Sequence, residues 1–583
     1  MNSGRALYQG GLFGILGVAV VGSTLALSRP DYSFFDPIID VERIIAQRYV
    51  SDPDRDAMRL AAINGMVESL NDPYTVYVPP TQTRNFTKDL TGDFVGIGVQ
   101  IGARDGVLTV ITPLEDTPAY RAGVLANDRI VEISGTSTAG LSPDQCVDLL
   151  TGEPGTEVSF VVERDGQRIP FKVTRERIVA KTVKGFHWQA PKPADAPSAD
   201  PGVPPASGRP DAAKDAGAWQ SFIDPARRIA YIRLTQFTPT SGDEIASTLD
   251  TLGAREGKVG GLILDLRFNP GGVLADAIQI ADLFLKDGTI VSTKGRAHDE
   301  EVARAVADGT LPDFPLAVLI NGGSASASEV LAGALVENKR AIIVGTRSFG
   351  KGLVQSVISL PSGHGQLKIT EQKYYLPSGR CIQRDDASPE WGVDPTPGFY
   401  VPMTDDETAE FLRVRREEEI IGGDRHGGTE ERWSDPAWII ERLKDKQLAA
   451  ALKAVQLKLD AGPAADWTAT GEALPAGASL SSGELSRVGK LRDRLERELS
   501  RLDRRIAQLE SASGSIAAQP PDLWPDDADL TGGAVEVFDK TGKRVARLSI
   551  TGPDVERWLA EADVKPDEPA ADAPANADPA SKP

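Results

Sequence analysis

The run Phe314 to Ile320 is apolar throughout, and the residues after it, Asn321-Gly322-Gly323-Ser324-Ala325-Ser326-Ala327-Ser328-Glu329, are nearly all small. An Ala/Leu-rich stretch, Val330 to Leu335, follows. The apolar run reads as a buried strand, the small residues as a tight turn, and the last stretch as a helix. This strand–turn–helix unit belongs in an α/β fold. The turn places serines at a helix start, where unpaired N–H groups stabilise negative charge. Ser326-x-x-Glu329 also has capping-box spacing, so capping alone would account for Ser326. On physical grounds Ser324, Ser326 and Ser328 stay equivalent candidates.

The same pattern extends around this unit. Arg228 to Leu234, Val259 to Leu266, Leu316 to Ile320 and Ala341 to Val344 read as strands, and Val273 to Leu285 as a helix. Residues 228–403 are therefore an α/β core. A chain of 583 residues exceeds one core, so several domains are expected. The net charge of −20 argues against nucleic acid as a partner, because phosphate binding needs clustered Lys and Arg.

The rest divides by composition. Gly10 to Leu27 is an apolar stretch of borderline length for a membrane span, so residues 1–30 read as a signal anchor or signal peptide. Both readings place the remainder outside the cytoplasm. Residues 31–90 carry two helical patterns, the first with Asp36 as N-cap before Pro37, the second from Arg55 to Leu70. Residues 91–177 switch to short β-runs, Val107–Ile111, Arg129–Ile133 and Val158–Val162, with a helix at Ser142–Leu150. Residues 178–227 are a linker with a Pro/Ala-rich insertion at 189–217. Residues 404–530 form a helical extension whose segment 484–511 has coiled-coil spacing, a candidate oligomer surface. Residues 531–563 hold a hairpin, and 564–583 a tail of disordered composition.

Four chemical signals stand out. Lys351 lies between Gly350 and Gly352 with no acid adjacent in sequence. A lysine can deprotonate serine only when neutral, which burial achieves by lowering its pKa from about 10.4. Gln355, four residues on, is placed to orient its amine. Asp265-Leu266-Arg267-Phe268-Asn269-Pro270-Gly271-Gly272 is a second strand-to-helix turn. Amides of Gly271 or Gly272, with that of Ala327, are candidates for an oxyanion hole. Gly96-Ile97-Gly98-Val99 opens the β-module as a loop able to capture a peptide carboxylate. Two cysteines and four histidines give no metal-ligand spacing, so no metal or cofactor is expected.

Together these motifs resemble the C-terminal processing (tail-specific) peptidases, serine peptidases of the S41 type. Ser324 to Glu329 with Ala332-Gly333-Ala334-Leu335 resembles the nucleophile segment. Gly345-Thr346-Arg347-Ser348-Phe349-Gly350-Lys351-Gly352-Leu353-Val354-Gln355 resembles the lysine segment, and Asp265 to Gly272 the oxyanion turn. Thr91 to Arg177 resembles a PDZ domain, and Asp72-Pro73-Tyr74-Thr75 the N-terminal segment. The resemblance spans about residues 35 to 385. It implies Ser326 as nucleophile, Lys351 as general base and Gln355 as its orienting group, with Gly271 or Gly272 and Ala327 as oxyanion donors and no cofactor. It also implies protein substrates with exposed, apolar C-termini, an adaptor as a candidate partner, and a bacterial periplasmic enzyme, either held at the inner membrane through residues 10–27 or secreted to the periplasm. Homo-oligomers are expected through the N-terminal helices or helix 484–511. Thr151-Gly152, Asn127, Leu376 and Cys381 depart from the family pattern. The rival reading is a catalytically inactive PDZ scaffold that binds tails without cutting them.

Overall fold

The computed structural model describes residues 33–83, 86–87, 92–104, 106–189, 218–385, 390–421, 432–473, 492, 495, 499, 534–538 and 543–549. The chain divides into two compact units, Met1–Leu474 and Pro475–Pro583.

In the first unit, helices Asp36–Arg48 and Arg55–Glu68 open the described chain. Asp36 is the first helical residue, not the cap. Phe35 holds the N-cap position without a side-chain bond, while Pro37 occupies the first turn, where no N–H is needed. The second helix is capped, because Asp54 accepts the N–H groups of Asp56 and Ala57. The chain then turns at Asn71, which takes a left-handed φ of 50°. Strand Val76–Val78 follows and pairs with Gln366–Tyr375, Tyr77 opposite Leu367. The N-terminal region is thus stitched into the core and is not purely helical.

The β-module follows. Strands Val99–Arg104, Val107–Pro113, Arg129–Ile133, Glu157–Arg164 and Gln167–Thr174 form an antiparallel sheet in that order. Val99–Arg104 is one of its two edges and Gln167–Thr174 the other. Helix Pro143–Leu150 starts from a full capping box, Ser142 and Gln145 exchanging both bonds. Ile97, Val110, Ile130, Cys146, Phe160 and Val162 fill the core. Asn127 adopts the left-handed turn, with φ 69°.

The central sheet runs Val183–Lys184, Ile229–Leu234, Gly261–Asp265, Leu316–Ile320, Ile342–Gly345, with Phe222–Asp224 also pairing to Ile229–Leu234. The last four strands of that order are parallel. Parallel strands covered on both faces need apolar side chains at every position, which is why these runs lack alternation. Ile232, Leu264 and Val318 pack with helices Ser241–Thr251, Leu274–Asp282 and Ala327–Glu337. Tyr231, Ile263 and Leu319 face the other way, against Trp438, Leu448, Leu452 and Val455.

Two sequence boundaries are corrected by this packing. Residues 178–227 are not merely linker, because Val183–Lys184 and Phe222–Asp224 are strands of the central sheet. His187–Gln189 pairs with Ala218–Gln220, so the two flanks of the insertion are joined as a ladder. The core also does not end at 403. Helix Lys446–Ala461 and the turn Pro436–Leu443 cover its second face, and without them that face would meet water.

A second, antiparallel sheet joins Val76–Val78, Gln366–Tyr375, Thr289–Gly295 and Glu301–Arg304, with Leu353–Ser359 against Gln366–Tyr375. Lys351 lies just before its strand Leu353–Ser359.

In the second unit, Ala534–Phe538 and Arg544–Ser549 pair antiparallel, Val535 opposite Leu548. The apolar stretch 10–27, the insertion 190–217 and the tail 564–583 lie outside the described residues, as does nearly all of helix 484–511. Among the described residues no helix is long and apolar enough to cross a membrane.

Candidate active site

The serine turn and the glycine turn are laced into one another. Asn321 Oδ1 accepts the N–H groups of Phe268 and Gly323, both at 3.0 Å. The Asn269 carbonyl accepts the Ala325 N–H at 3.0 Å. Gly271 can pass this close only because it lacks a Cβ, which would stand 2.8 Å from Ser326 Cβ. At Gly272 a Cβ would stand 1.9 Å from the Phe237 carbonyl oxygen, at a φ of 143°. Both glycines are therefore required by approach as well as by backbone angle.

The three serines are not equivalent. Ser324 is buried and donates its hydroxyl to the Leu266 carbonyl at 2.8 Å. Ser328 is buried and donates to the Asn269 carbonyl at 3.0 Å. Ser326 is partly exposed, its hydroxyl tied to no backbone carbonyl among the described residues. Its backbone is strained, with φ 57° and ψ −116°, a region L residues rarely occupy. Such a turn holds a side chain outward at the start of a helix.

The oxyanion candidates separate in the same way. The Gly271 N–H is donated to Asn269 Oδ1 at 2.9 Å, so it is already committed. Among the described residues the N–H groups of Gly272 and Ala327 have no acceptor.

Glu329 joins the serine turn to the lysine loop. It is completely buried. Oε2 accepts the N–H groups of Ser326 and Lys351, both at 2.8 Å. Oε1 accepts the Ser348 hydroxyl at 2.5 Å and the Gly350 N–H at 2.7 Å. Burial pushes this carboxyl up from its ordinary range, and the four donors pull against burial. Each carboxylate oxygen thus accepts two of the four bonds. Replacing it with glutamine would aim an NH2 group at two N–H donors. Glu329→Gln is expected to lose roughly 2–4 kcal/mol of stability. It is also expected to lose about 100-fold in kcat/KM through misplacement of the loop. Thermal melting and steady-state kinetics check both; wild-type values for the two would remove Glu329 from the site.

Lys351 is half-buried, and its Nζ stands 4.8 Å from the centre of the Tyr74 ring. Burial, with a smaller contribution from Lys368, lowers its pKa to about 8, against Glu329 and Asp72, which favour the charged form. The sequence reading found no acid beside Lys351; both carboxylates arrive from distant segments. The Tyr374 hydroxyl donates to the Lys351 carbonyl and lies beside the Ser326 hydroxyl. Among the described residues no hydrogen bond joins Ser326 to the Lys351 amine. Gln355 sits on the adjacent strand, where its amide donates to Thr370 Oγ1 at 3.3 Å and not to Lys351.

The structure thus brings Ser326, Ala327, Gly271, Gly272 and the Lys351 loop together, with Gln355 turned to Thr370. Gly96 to Val99 lie in the separate β-module, where the Ile97 carbonyl accepts the Ala119 N–H and the Gly98 carbonyl the Leu114 N–H. No local pattern marks Tyr374 and Tyr74 as neighbours of the site, and the capping-box spacing of Ser326-x-x-Glu329 accounts for only one of the bonds that Glu329 makes. Among the described residues no group of three His, Cys, Asp or Glu converges as a metal site needs.

Comparison with known proteins follows this division. Residues 228–396 match Peptidase family S41, 109–164 match the PDZ domain, and 30–81 match the Activating protease CtpB N-terminal domain. A carboxy-terminal-processing protease of Bartonella bacilliformis is 34% identical over 394 residues, 66% of this chain and 82% of that protein. A probable CtpA-like serine protease of Staphylococcus aureus is 31% identical over 375 residues, 64% of this chain and 67% of that protein. Among solved structures, the photosystem II D1 C-terminal processing protease is 28% identical, with 62% of this chain and 85% of that chain covered and a TM-score of 0.33. The matched regions and the identity to the Bartonella protein make this chain a member of peptidase family S41, a carboxy-terminal-processing protease that carries a PDZ domain.

Proposed function

We propose that this protease is a serine endopeptidase in which Ser326 attacks the peptide carbonyl and Lys351 acts as general base. The observation that carries this reading is the difference among the three serines: Ser324 and Ser328 spend their hydroxyls on backbone, while Ser326 stands beside a lysine loop held by Glu329. Neutral Lys351 takes the Ser326 proton as Oγ bonds to the carbonyl carbon. The oxyanion is met by the N–H groups of Ala327 and Gly272. The lysine ammonium returns its proton to the leaving amine, and water then hydrolyses the acyl-enzyme. Gln355 orients the lysine only after leaving Thr370.

The substrate we propose is a protein with an exposed, apolar C-terminus. It would add as a strand to the edge Val99–Arg104, between that edge and helix Pro143–Leu150, its carboxylate on the loop Gly96–Val99. The proposed setting is the periplasmic face of the inner membrane, supported by the apolar stretch 10–27. The two N-terminal helices bury none of their own residues and leave Ile39, Val41 and Ile44 exposed, which favours self-association there; helix 484–511 and an adaptor remain further proposed contacts.

A fluorophosphonate probe tests the site directly. Its adduct is expected on the peptide containing Ser326 and on no other serine. Because a neutral amine is required, the rate of labelling, in which Ser326 Oγ displaces fluoride from phosphorus, should climb about tenfold per pH unit at low pH and level off above about pH 8. An adduct elsewhere, or a rate flat from pH 6 to 9, overturns the assignment.

A further inference from the structure

The contact between Lys351 and Tyr74 joins residues that are far apart in sequence, with the whole PDZ module between them. The ring face is electron-rich and attracts an ammonium. A protonated amine cannot accept the Ser326 proton, so a serine-to-lysine hydrogen bond with nitrogen as acceptor belongs to the neutral form alone. In this structure the amine stands on the ring and makes no bond to Ser326. The position on the ring is the one that suits an ammonium.

The ring is held by its own segment. Asp72 Oδ1 accepts the Tyr74 N–H at 3.0 Å, and Asp72 Oδ2 accepts the Thr75 hydroxyl at 2.6 Å. Thr75 is buried, and its Oγ1 accepts the Thr370 N–H at 3.1 Å. The next residues pair as strand Val76–Val78, fixing the turn to the sheet beside Lys351. Thr370 is also the residue that holds the Gln355 amide.

We propose that Tyr74 is a positioning residue for Lys351: its ring is the resting place of the protonated amine, which moves to Ser326 only when it loses its proton. This rests on the reading of Lys351 as the base. The other groups facing the amine are Asp72 from the same turn, Glu329 from the serine helix, Lys368 from the neighbouring strand, and Tyr374 through the Lys351 carbonyl. None of these changes when the ring alone is replaced. A ring that stabilises the ammonium holds the lysine pKa higher than an aliphatic wall of similar bulk would.

The test is competitive labelling of Lys351 with a trace of acetic anhydride across pH, read by peptide mass spectrometry in the full-length protein. Tyr74→Phe keeps the ring face and is expected to titrate with wild type. Tyr74→Leu keeps apolar bulk without the face, and its limb is expected to move to lower pH by about half a unit. A Tyr74→Leu limb that coincides with wild type, or moves to higher pH, overturns the proposal. Cleavage by Lys351→Ala is measured alongside. Should that variant still cut, the base assignment falls, while the labelling limb still decides whether the ring seats the ammonium.

Discussion

Ser326→Ala and Lys351→Arg are each expected to reduce cleavage of an unfolded model protein with an apolar C-terminus by roughly 10⁴-fold or more. The arginine variant is the more telling. It keeps length and positive charge, but its guanidinium does not deprotonate in proteins, so it cannot accept the serine proton. If Lys351 served only to attract a carboxylate, arginine would substitute well. The double variant Ser326→Ala, Lys351→Arg is expected to be no slower than either single one, because groups acting as one unit fail together. Kinetics of the four proteins check this. Multiplicative losses, or substantial activity in Lys351→Arg, would remove lysine from the proton transfer.

Asp445→Ala is expected to destabilise the first unit by about 3–5 kcal/mol, the range for breaking a buried ion pair. Arg267 is fully buried and forked between two carboxylates. Its Nη2 and Nε donate to Asp265 at 2.7 and 3.0 Å, while Nη1 and Nη2 donate to Asp445 at 2.7 and 2.8 Å. Asp445 also caps helix Lys446–Ala461 through the Leu448 N–H. Removing it leaves half of a guanidinium without a counter-charge and uncaps the helix. Since Arg267 precedes Asn269 and the glycine turn, activity should fall at temperatures where the fold survives. Chemical denaturation of wild type, Asp445→Asn and Asp445→Ala checks the order: asparagine, which still accepts bonds, should fall between. Equal stability of all three would show that the fork contributes nothing.

The same cluster sets the acid limit. Burial works against the Glu419 carboxylate, but Arg233 and Arg415 hold its pKa down to about 2, and Arg267 with Arg415 likewise keeps Asp265 below the carboxylate range. A depressed folded pKa stabilises above the unfolded value and loses that stabilisation as pH falls. Stability should therefore decline between about pH 4 and pH 2.

The core strands were legible because parallel strands buried on both faces carry unbroken apolar runs, as Leu316–Ile320 does. The β-module was legible from turn residues at regular spacing. The choice among three serines was not, because it depends on which hydroxyls meet the Leu266 and Asn269 carbonyls, both from another turn. Gly271 and Gly272 were indistinguishable until the Asn269 side chain was placed. The role of helix Lys446–Ala461 in the core was hidden by distance along the chain: its Leu448, Leu452 and Val455 meet strands far earlier in the sequence, and the polar helix Asp405–Glu418 between them buries only Phe411. The contacts of Tyr74, Tyr374 and Asp445 span long separations in the chain, and no local pattern records them.

The ladder between His187–Gln189 and Ala218–Gln220 closes the insertion at its base. Once two flanks are paired, lengthening what lies between them costs little, about 0.6 kcal/mol per doubling of a flexible loop. Insertions between the paired flanks therefore need not disturb the sheet, provided that enough residues remain to turn the chain from Gln189 back to Ala218. The same opening offers an experimenter a place to graft a reporter domain, with both ends of the graft emerging side by side.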